Sequence, residues 1–321
     1  MAIAASRISQ PLTADLARAE DELALVGQEA GPVLHEAIRH HLSTGGKRIR
    51  PRIALLAGRM LLGEAPDALV RFAAVTELVH AASLVHDDTI DAAGTRRGEP
   101  TVDSRFGSHI SVLVGDYLFA QAAIITADLG SLRLMSLLAA TIQALVRGEL
   151  RQMSAAYKIE ASAANYESRI SDKSASLFVL AAEGAAVLAG APEEWMIALR
   201  RYGQQLGLAF QIADDVLDYT GSDDVLGKPA GSDLANGVVT LPALHYLRTL
   251  PDDAPERRIV EEGGDAARVV AAIRASNGPA HALGRARALA GDAVAALGAF
   301  PPSSSREALA AIGEETVRRL S

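Results

Sequence analysis

Phe72-Ala73-Ala74-Val75-Thr76-Glu77-Leu78-Val79-His80-Ala81-Ala82-Ser83-Leu84-Val85-His86-Asp87-Asp88-Thr89-Ile90-Asp91 decides how this chain reads. Phe72, Val75, Val79, Ala82 and Val85 recur at the three-to-four spacing of one helix face. The run ends in a DDxxD string whose first and last Asp are four apart. On a helix that places both carboxylates on one face, roughly 5 Å apart. Like charges so placed cost helix stability unless a cation joins them.

The pattern returns once. Tyr202, Leu206, Ala209, Ile212 and Val216 form an apolar face leading into Asp214-Asp215-Val216-Leu217-Asp218. A single DDxxD reads most simply as a solvated helix end. Two copies, each at the end of a strongly apolar face, read as a site. Two such helices facing each other across a bundle would aim six carboxylates into one cavity. Oxygen donors without Cys or paired His select hard cations such as Mg²⁺, which keeps waters and takes phosphate oxygens as further ligands.

Outward from these strings the period stays helical. Leu12, Leu16, Ala19 and Leu23 continue it near the start, and alternating strand-like runs are scarce. Gly and Pro fall between periodic segments, and no Ser/Gly-rich linker divides the chain. The expectation is an all-α fold, a single-domain helical bundle over residues 1–321 around a central cavity. The 321 residues, 49% hydrophobic and 22% charged, suffice for a large core. A net charge of -8 argues against a nucleic-acid partner held by a basic surface. With no cysteine, disulfides, thiolate catalysis and Cys-zinc sites are excluded, and a reducing cytoplasm fits. The opening MAIAASRISQPL lacks a long apolar segment, and the stretch Ile110 to Ile125 carries Asp116 and reads as too short to span a membrane. A soluble cytoplasmic protein with at most peripheral membrane contact is expected.

Basic loops accompany the acidic strings. In Gly45-Gly46-Lys47-Arg48-Ile49-Arg50-Pro51 the paired glycines permit an unusual backbone path, and Arg50 is biased toward an extended conformation by the proline after it. Pro51 can open a helix running through Leu62. Lys47, Arg48 and Arg50 then cluster at a helix N-terminus, as an anion site or as an ordinary basic surface loop, with little to choose between them. Gly94-Thr95-Arg96-Arg97-Gly98-Glu99-Pro100-Thr101 sets two arginines directly after the first string. They either pair with those aspartates or grip phosphate through bidentate hydrogen bonds. His80 lies two turns before Asp87. His86, directly before Asp87, admits a minority reading as a His-Asp metal phosphohydrolase. Lys173-Ser174 precedes an apolar helix, and Lys228 lies in the loop Gly227 to Asp233.

Together these segments resemble the trans-prenyltransferases, the (all-E) polyprenyl diphosphate synthases. The matching runs are GGKRIRP, LVHDDTID, TRRGEPT, VGDYLF, SDKSASLF, FQIADDVLDY, GKPAGSDL and TLP, in family order over about residues 45 to 242. The resemblance implies an all-helical fold around a cavity, Mg²⁺ dependence and a homodimer. It implies that Asp87, Asp88, Asp91, Asp214, Asp215 and Asp218 bind the metal ions holding an allylic diphosphate. It makes Arg96, Lys173, Ser174, Gln211 and Lys228 contacts of that substrate, with Lys173 and Lys228 also supporting catalysis, and Lys47, Arg50, His80 and Arg97 the isopentenyl diphosphate site. Three positions depart from the family pattern: Ser174 replaces Thr, Ala92-Ala93-Gly94 replaces a more acidic stretch, and Val238 stands where many members have Lys.

The implied reaction needs no protein nucleophile. The allylic diphosphate ionises, isopentenyl diphosphate attacks the cation, and a proton is lost. Ala82 and Ser83, five and four residues before Asp87, are small where bulky aromatics in this family stop growth, so a medium- or long-chain product is expected. Short-chain (geranylgeranyl or farnesyl) synthesis and a non-catalytic subunit of a heteromeric synthase are the alternatives. A class I terpene cyclase is disfavoured by the second DDxxD and the GGKRIRP loop.

Overall fold

The structure is a computed structural model, and it describes residues 2–221 and 230–318. Regular structure among them is helical, apart from one two-stranded antiparallel hairpin. The all-α expectation holds.

Residues Met1–Ile142, Leu177–Gly203 and Leu297–Leu309 make one compact unit, and Gln143–Ser176, Gln204–Ala296 and Ala310–Ser321 make another. The helices in chain order are α1 (Ala2–Ala24), α2 (Pro32–Ser43), α3 (Ile49–Leu62), α4 (Asp67–Ile90), α5 (Val102–Phe106), α6 (Ser108–Asp128), α7 (Leu132–Ala155), α8 (Ile159–Ile170), α9 (Ser176–Leu188) and α10 (Glu193–Thr220). A π-helical turn, Ser171–Ala175, joins α8 to α9. After α10 come α11 (Ser232–Ala235), α12 (Leu241–Leu247), α13 (Pro255–Glu262), α14 (Ala267–Ala275), α15 (Gly278–Ala296) and α16 (Ser304–Arg318). The hairpin pairs β1 (Thr95–Arg96) with β2 (Glu99–Pro100).

In the first unit α4 is the centre, packed by α1, α3 and α6. Its apolar residues extend around most of the helix, so Leu69, Phe72, Val75, Leu78, Val79, Ala82 and Val85 are all buried. A Cβ at Gly184 of α9 would collide with the Phe72 ring, so the glycine lets that ring fill the core. In the second unit Ile159, Tyr166, Ile212, Val216, Tyr219, Leu244 and Leu289 share one core, built by α8, α10, α12 and α15.

Two differences from the sequence reading have local causes. α3 begins at Ile49, so Arg50 is helical rather than extended. Pro51 sits in the first turn, where its missing N–H would have had no intrahelical partner. The apolar stretch read as too short to span a membrane belongs to a helix of 21 residues, α6. Among the described residues α4 and α6 are long and apolar enough to cross a membrane. The protein buries 72% of the apolar window of α4 but only 39% of that of α6.

Candidate active site

Both acidic strings finish a helix: Asp87 and Asp88 lie in the last turn of α4 with Asp91 as its C-cap, and Asp214 to Asp218 lie near the end of α10. Negative charge at the carbonyl end of a helix opposes its dipole. Each string meets this cost the same way, by engaging its middle carboxylate.

Asp88 is 2% exposed. Arg96 of β1 grips it in a fork, Nε donating to Oδ1 at 2.8 Å and Oδ2 at 2.9 Å, and Nη2 to Oδ1 at 2.5 Å. The hairpin turn that carries this arginine has positive φ at both Arg97 (54°) and Gly98 (83°), the geometry that suits a two-residue loop. Asp87 is half-buried and Asp91 exposed.

Asp215 is also 2% exposed. The Tyr166 hydroxyl donates to its Oδ2 at 2.6 Å, and Gln211 Nε2 donates to its Oδ1 at 2.8 Å. Burial, helped by Asp233, pushes this carboxyl up to about 7 against the pull of those two donors. Gln211 also accepts from Ser174 Oγ at 2.5 Å, so Ser174, Gln211 and Asp215 form a chain. Asp218 caps the turn after the loop, accepting from Ser232 Oγ at 3.0 Å and from the Asp233 amide at 3.3 Å. Asp214 is half-buried.

The π-turn carries Lys173 and Ser174. Lys173 pairs with Glu149 of α7, and a Cβ at Gly148 would come within 2.7 Å of the Lys173 amide nitrogen. Asp172, beside it, takes Arg147 at 3.2 Å and Arg151 at 2.6 Å. Single π-turns inside helical runs commonly mark functional positions. Lys228 lies outside the described residues. Val238, where the family often has Lys, donates its amide to the Asp233 carbonyl at 2.8 Å.

The first unit also brings the basic loops together. Arg97 donates to the Gly45 carbonyl, and a Cβ at Gly46 would meet Arg97 Nη1 at 2.9 Å. Arg50 stacks over Phe178 of α9 with its guanidinium carbon 5.1 Å from the ring centroid. His80 feels the charge of Arg50, Arg97 and Arg96, and burial together with those cations pushes its imidazole well below the usual range. Among the described residues its buried Nδ1 has no hydrogen-bond partner. Lys47 is exposed.

Arg48 behaves differently from the other cations of its loop. It adopts a left-handed φ of 47° and turns toward carboxylates, reaching Glu20 at 2.5 Å and Glu77 at 2.7 Å. It fixes the loop's path. Three groups on which the site depends escaped the sequence reading: Glu77, Glu149 and Tyr166. His86 is likewise a packing residue. Its Nε2 lies 3.2 Å from the Val112 carbonyl oxygen and 3.6 Å from Asp116 Oδ1, and a Cβ at Gly115 would strike its ring.

Among the described residues no three His, Asp or Glu side chains group closely enough to hold a metal by protein donors alone. The donor set still fits a hard cation, because Mg²⁺ typically takes one or two carboxylates and completes its shell with water and substrate oxygens.

An all-α fold with two acidic helix ends and a guanidinium-rich loop cluster defines a class of enzymes that handle organic diphosphates. The Polyprenyl synthetase family profile matches residues 31–275. Octaprenyl diphosphate synthase of Haemophilus influenzae is 40% identical over 280 residues, covering 86% of this chain and 85% of that protein. Heptaprenyl diphosphate synthase component 2 of Geobacillus stearothermophilus is 45% identical over 238 residues, covering 74% of this chain and 73% of that one. The crystal structure of a polyprenyl synthase from Caulobacter crescentus CB15, complexed with calcium and isoprenyl diphosphate, superimposes with a TM-score of 0.92 at 34% identity, covering 98% of each chain. The chain belongs to the polyprenyl synthetase family. It is a prenyltransferase enzyme.

Proposed function

We propose that this enzyme condenses isopentenyl diphosphate with an allylic diphosphate, in the trans configuration, to a medium- or long-chain polyprenyl diphosphate. The observation that carries the site assignment is the hairpin whose Arg96 grips Asp88 of the first acidic string while Arg97 donates to the Gly45 carbonyl of the Gly45–Pro51 loop. Lys47, Arg50, His80 and Arg97 form the isopentenyl diphosphate site. Arg96, Lys173, Ser174, Gln211 and Lys228 serve the allylic diphosphate.

Asp87, Asp88, Asp91, Asp214, Asp215 and Asp218 hold the metal ions. Asp88, Asp215 and Asp218 are oriented by Arg96, by Tyr166 with Gln211, and by Ser232. The metal is Mg²⁺, whose charge neutralises the leaving diphosphate when bound. The protein cations add preorganised positive charge where charge develops on the leaving group. Glu149 holds Lys173 until the diphosphate takes its place. The proton lost from the isopentenyl unit passes to the departing diphosphate.

Chain length follows from α4. Ala82 is fully buried and Ser83 half-buried, its Oγ donating to the His80 carbonyl at 2.8 Å. Neither side chain is large enough to stop a growing tail one turn from Asp87.

The working unit is a homodimer of single-domain subunits in the cytoplasm. Supporting the dimer, Leu113, Tyr117, Ala120 and Ile124 form a stripe at heptad spacing on α6, and Leu113 and Ile124 are more than half exposed. The family profile spans both compact units, in keeping with one domain. Incubating the pure protein with labelled isopentenyl diphosphate, Mg²⁺ and allylic primers of several lengths, then sizing the products, tests the reading. Products shorter than geranylfarnesyl would overturn the chain-length assignment, and no elongation would overturn the reaction.

A further inference from the structure

The second unit contains a cavity of about 550 Å³ that the reaction leaves unused. It lies among α8, α12 and α15, within the size range of small-molecule sites. Its lining is divided in character. Ala163, Leu241 and Leu244 are its apolar members. His245, Arg248, His281 and Arg285 bring cationic or protonatable groups to it.

The imidazoles of His245 and His281 stack with centroids 4.0 Å apart at 16°. Burial, helped by the neighbouring His281 ring, lowers the His245 imidazole below its usual value. An anion beside these rings would meet the guanidinium donors of Arg248 and Arg285 as well. The only acid in the lining, Glu167, is taken by Arg285 at 3.0 Å. Arg248 is exposed and forms no ion pair among the described residues. Charge beside hydrocarbon in one lining matches a ligand with an anionic head and an apolar body.

The floor of the cavity is Tyr166, whose hydroxyl donates to Asp215 Oδ2 at 2.6 Å. A ligand pressing on this ring therefore reaches the second acidic string through one hydrogen bond. We propose that this cavity binds an anionic amphiphile, and that its occupant modulates the enzyme through the Tyr166–Asp215 pair. The amphiphile at hand is a prenyl diphosphate, an assignment that rests on the reaction proposed above; a fatty acid offers the same chemistry.

The test uses the full-length protein in EDTA, which removes metal-dependent binding at the acidic strings. Farnesyl diphosphate, laurate and inorganic diphosphate are titrated by calorimetry into wild type, Arg248→Glu and Asp87→Asn. Besides any diphosphate held without metal by Lys47, Arg50, His80 and Arg97, farnesyl diphosphate or laurate should bind wild type at this cavity, and the tighter of the two there identifies the source. Arg248→Glu should weaken that binding at least tenfold, Asp87→Asn should leave it within twofold, and tail-less diphosphate should bind at least tenfold more weakly. Binding should also perturb the near-ultraviolet tyrosine spectrum, and Tyr166→Phe should abolish that change while keeping the affinity. Unaltered binding in Arg248→Glu, its loss in Asp87→Asn, or no binding of either amphiphile overturns the proposal. None of these readouts requires turnover, so a failure of the proposed reaction is detected separately, by the elongation assay.

Discussion

Tyr166 donates its hydroxyl to Asp215 across 2.6 Å, and both groups are buried. The residues are 49 positions apart, yet this bond fixes which way the middle carboxylate of the second acidic string points. Gln211 holds its other oxygen. Tyr166→Phe should destabilise the fold by about 1–3 kcal/mol, the cost of a buried acceptor losing its donor. Because the bond pulls the carboxyl downward, its loss should raise that group above 7 and lower the ionised fraction at neutral pH. Denaturant titration with and without the hydroxyl measures the first effect, and an unchanged midpoint would refute it.

Arg96 and Asp88 are the matching pair of the first string. Removing the guanidinium leaves a buried carboxylate without its fork. Arg96 is one-third exposed, so the penalty lies below that of a fully buried pair, at about 2 kcal/mol. Arg96→Lys should recover only part of it, because an ammonium cannot make the two parallel bonds. Equal stability of Arg96→Ala and wild type would contradict this account.

Much of the fold could be read from spacing alone. The apolar period of α4 and α10 and the i,i+4 aspartates are local signals, and the helices formed where they indicated. The start of α3 was missed because the bias of a residue before proline is local, whereas Arg50 is held in a helix whose first turn tolerates Pro51. Residues that steady the site were not visible for a different reason. Arg48 finds Glu20 and Glu77 at separations of 28 and 29 residues, and Lys173 finds Glu149 at 24. No periodicity encodes such pairs; packing alone brings them together.

His41 provides a pH signature. It is buried on α2 with Nε2 3.0 Å from the Ala81 carbonyl oxygen, and burial pushes it from 6.5 down to about 4. The folded state therefore favours the neutral ring, and this contribution is complete above pH 6.5 and lost as pH falls toward 4. Its full size is about 3 kcal/mol. His41→Gln should flatten the stability curve between those values relative to wild type. Parallel curves for the two proteins would exclude the assignment.

Ser83→Phe should shorten the product. The ring would add bulk one turn from Asp87. Chromatographic sizing of products from one fixed primer checks this, and an unchanged distribution would remove α4 as the ruler.

The central claim is that both acidic strings drive one Mg²⁺-dependent condensation. The most direct measurement is the initial rate of isopentenyl transfer by Asp87→Ala and by Asp214→Ala, with helicity verified by circular dichroism. Loss of several kcal/mol of transition-state stabilisation predicts at least about a hundredfold drop in each variant. Near-normal turnover in either folded variant would contradict the account.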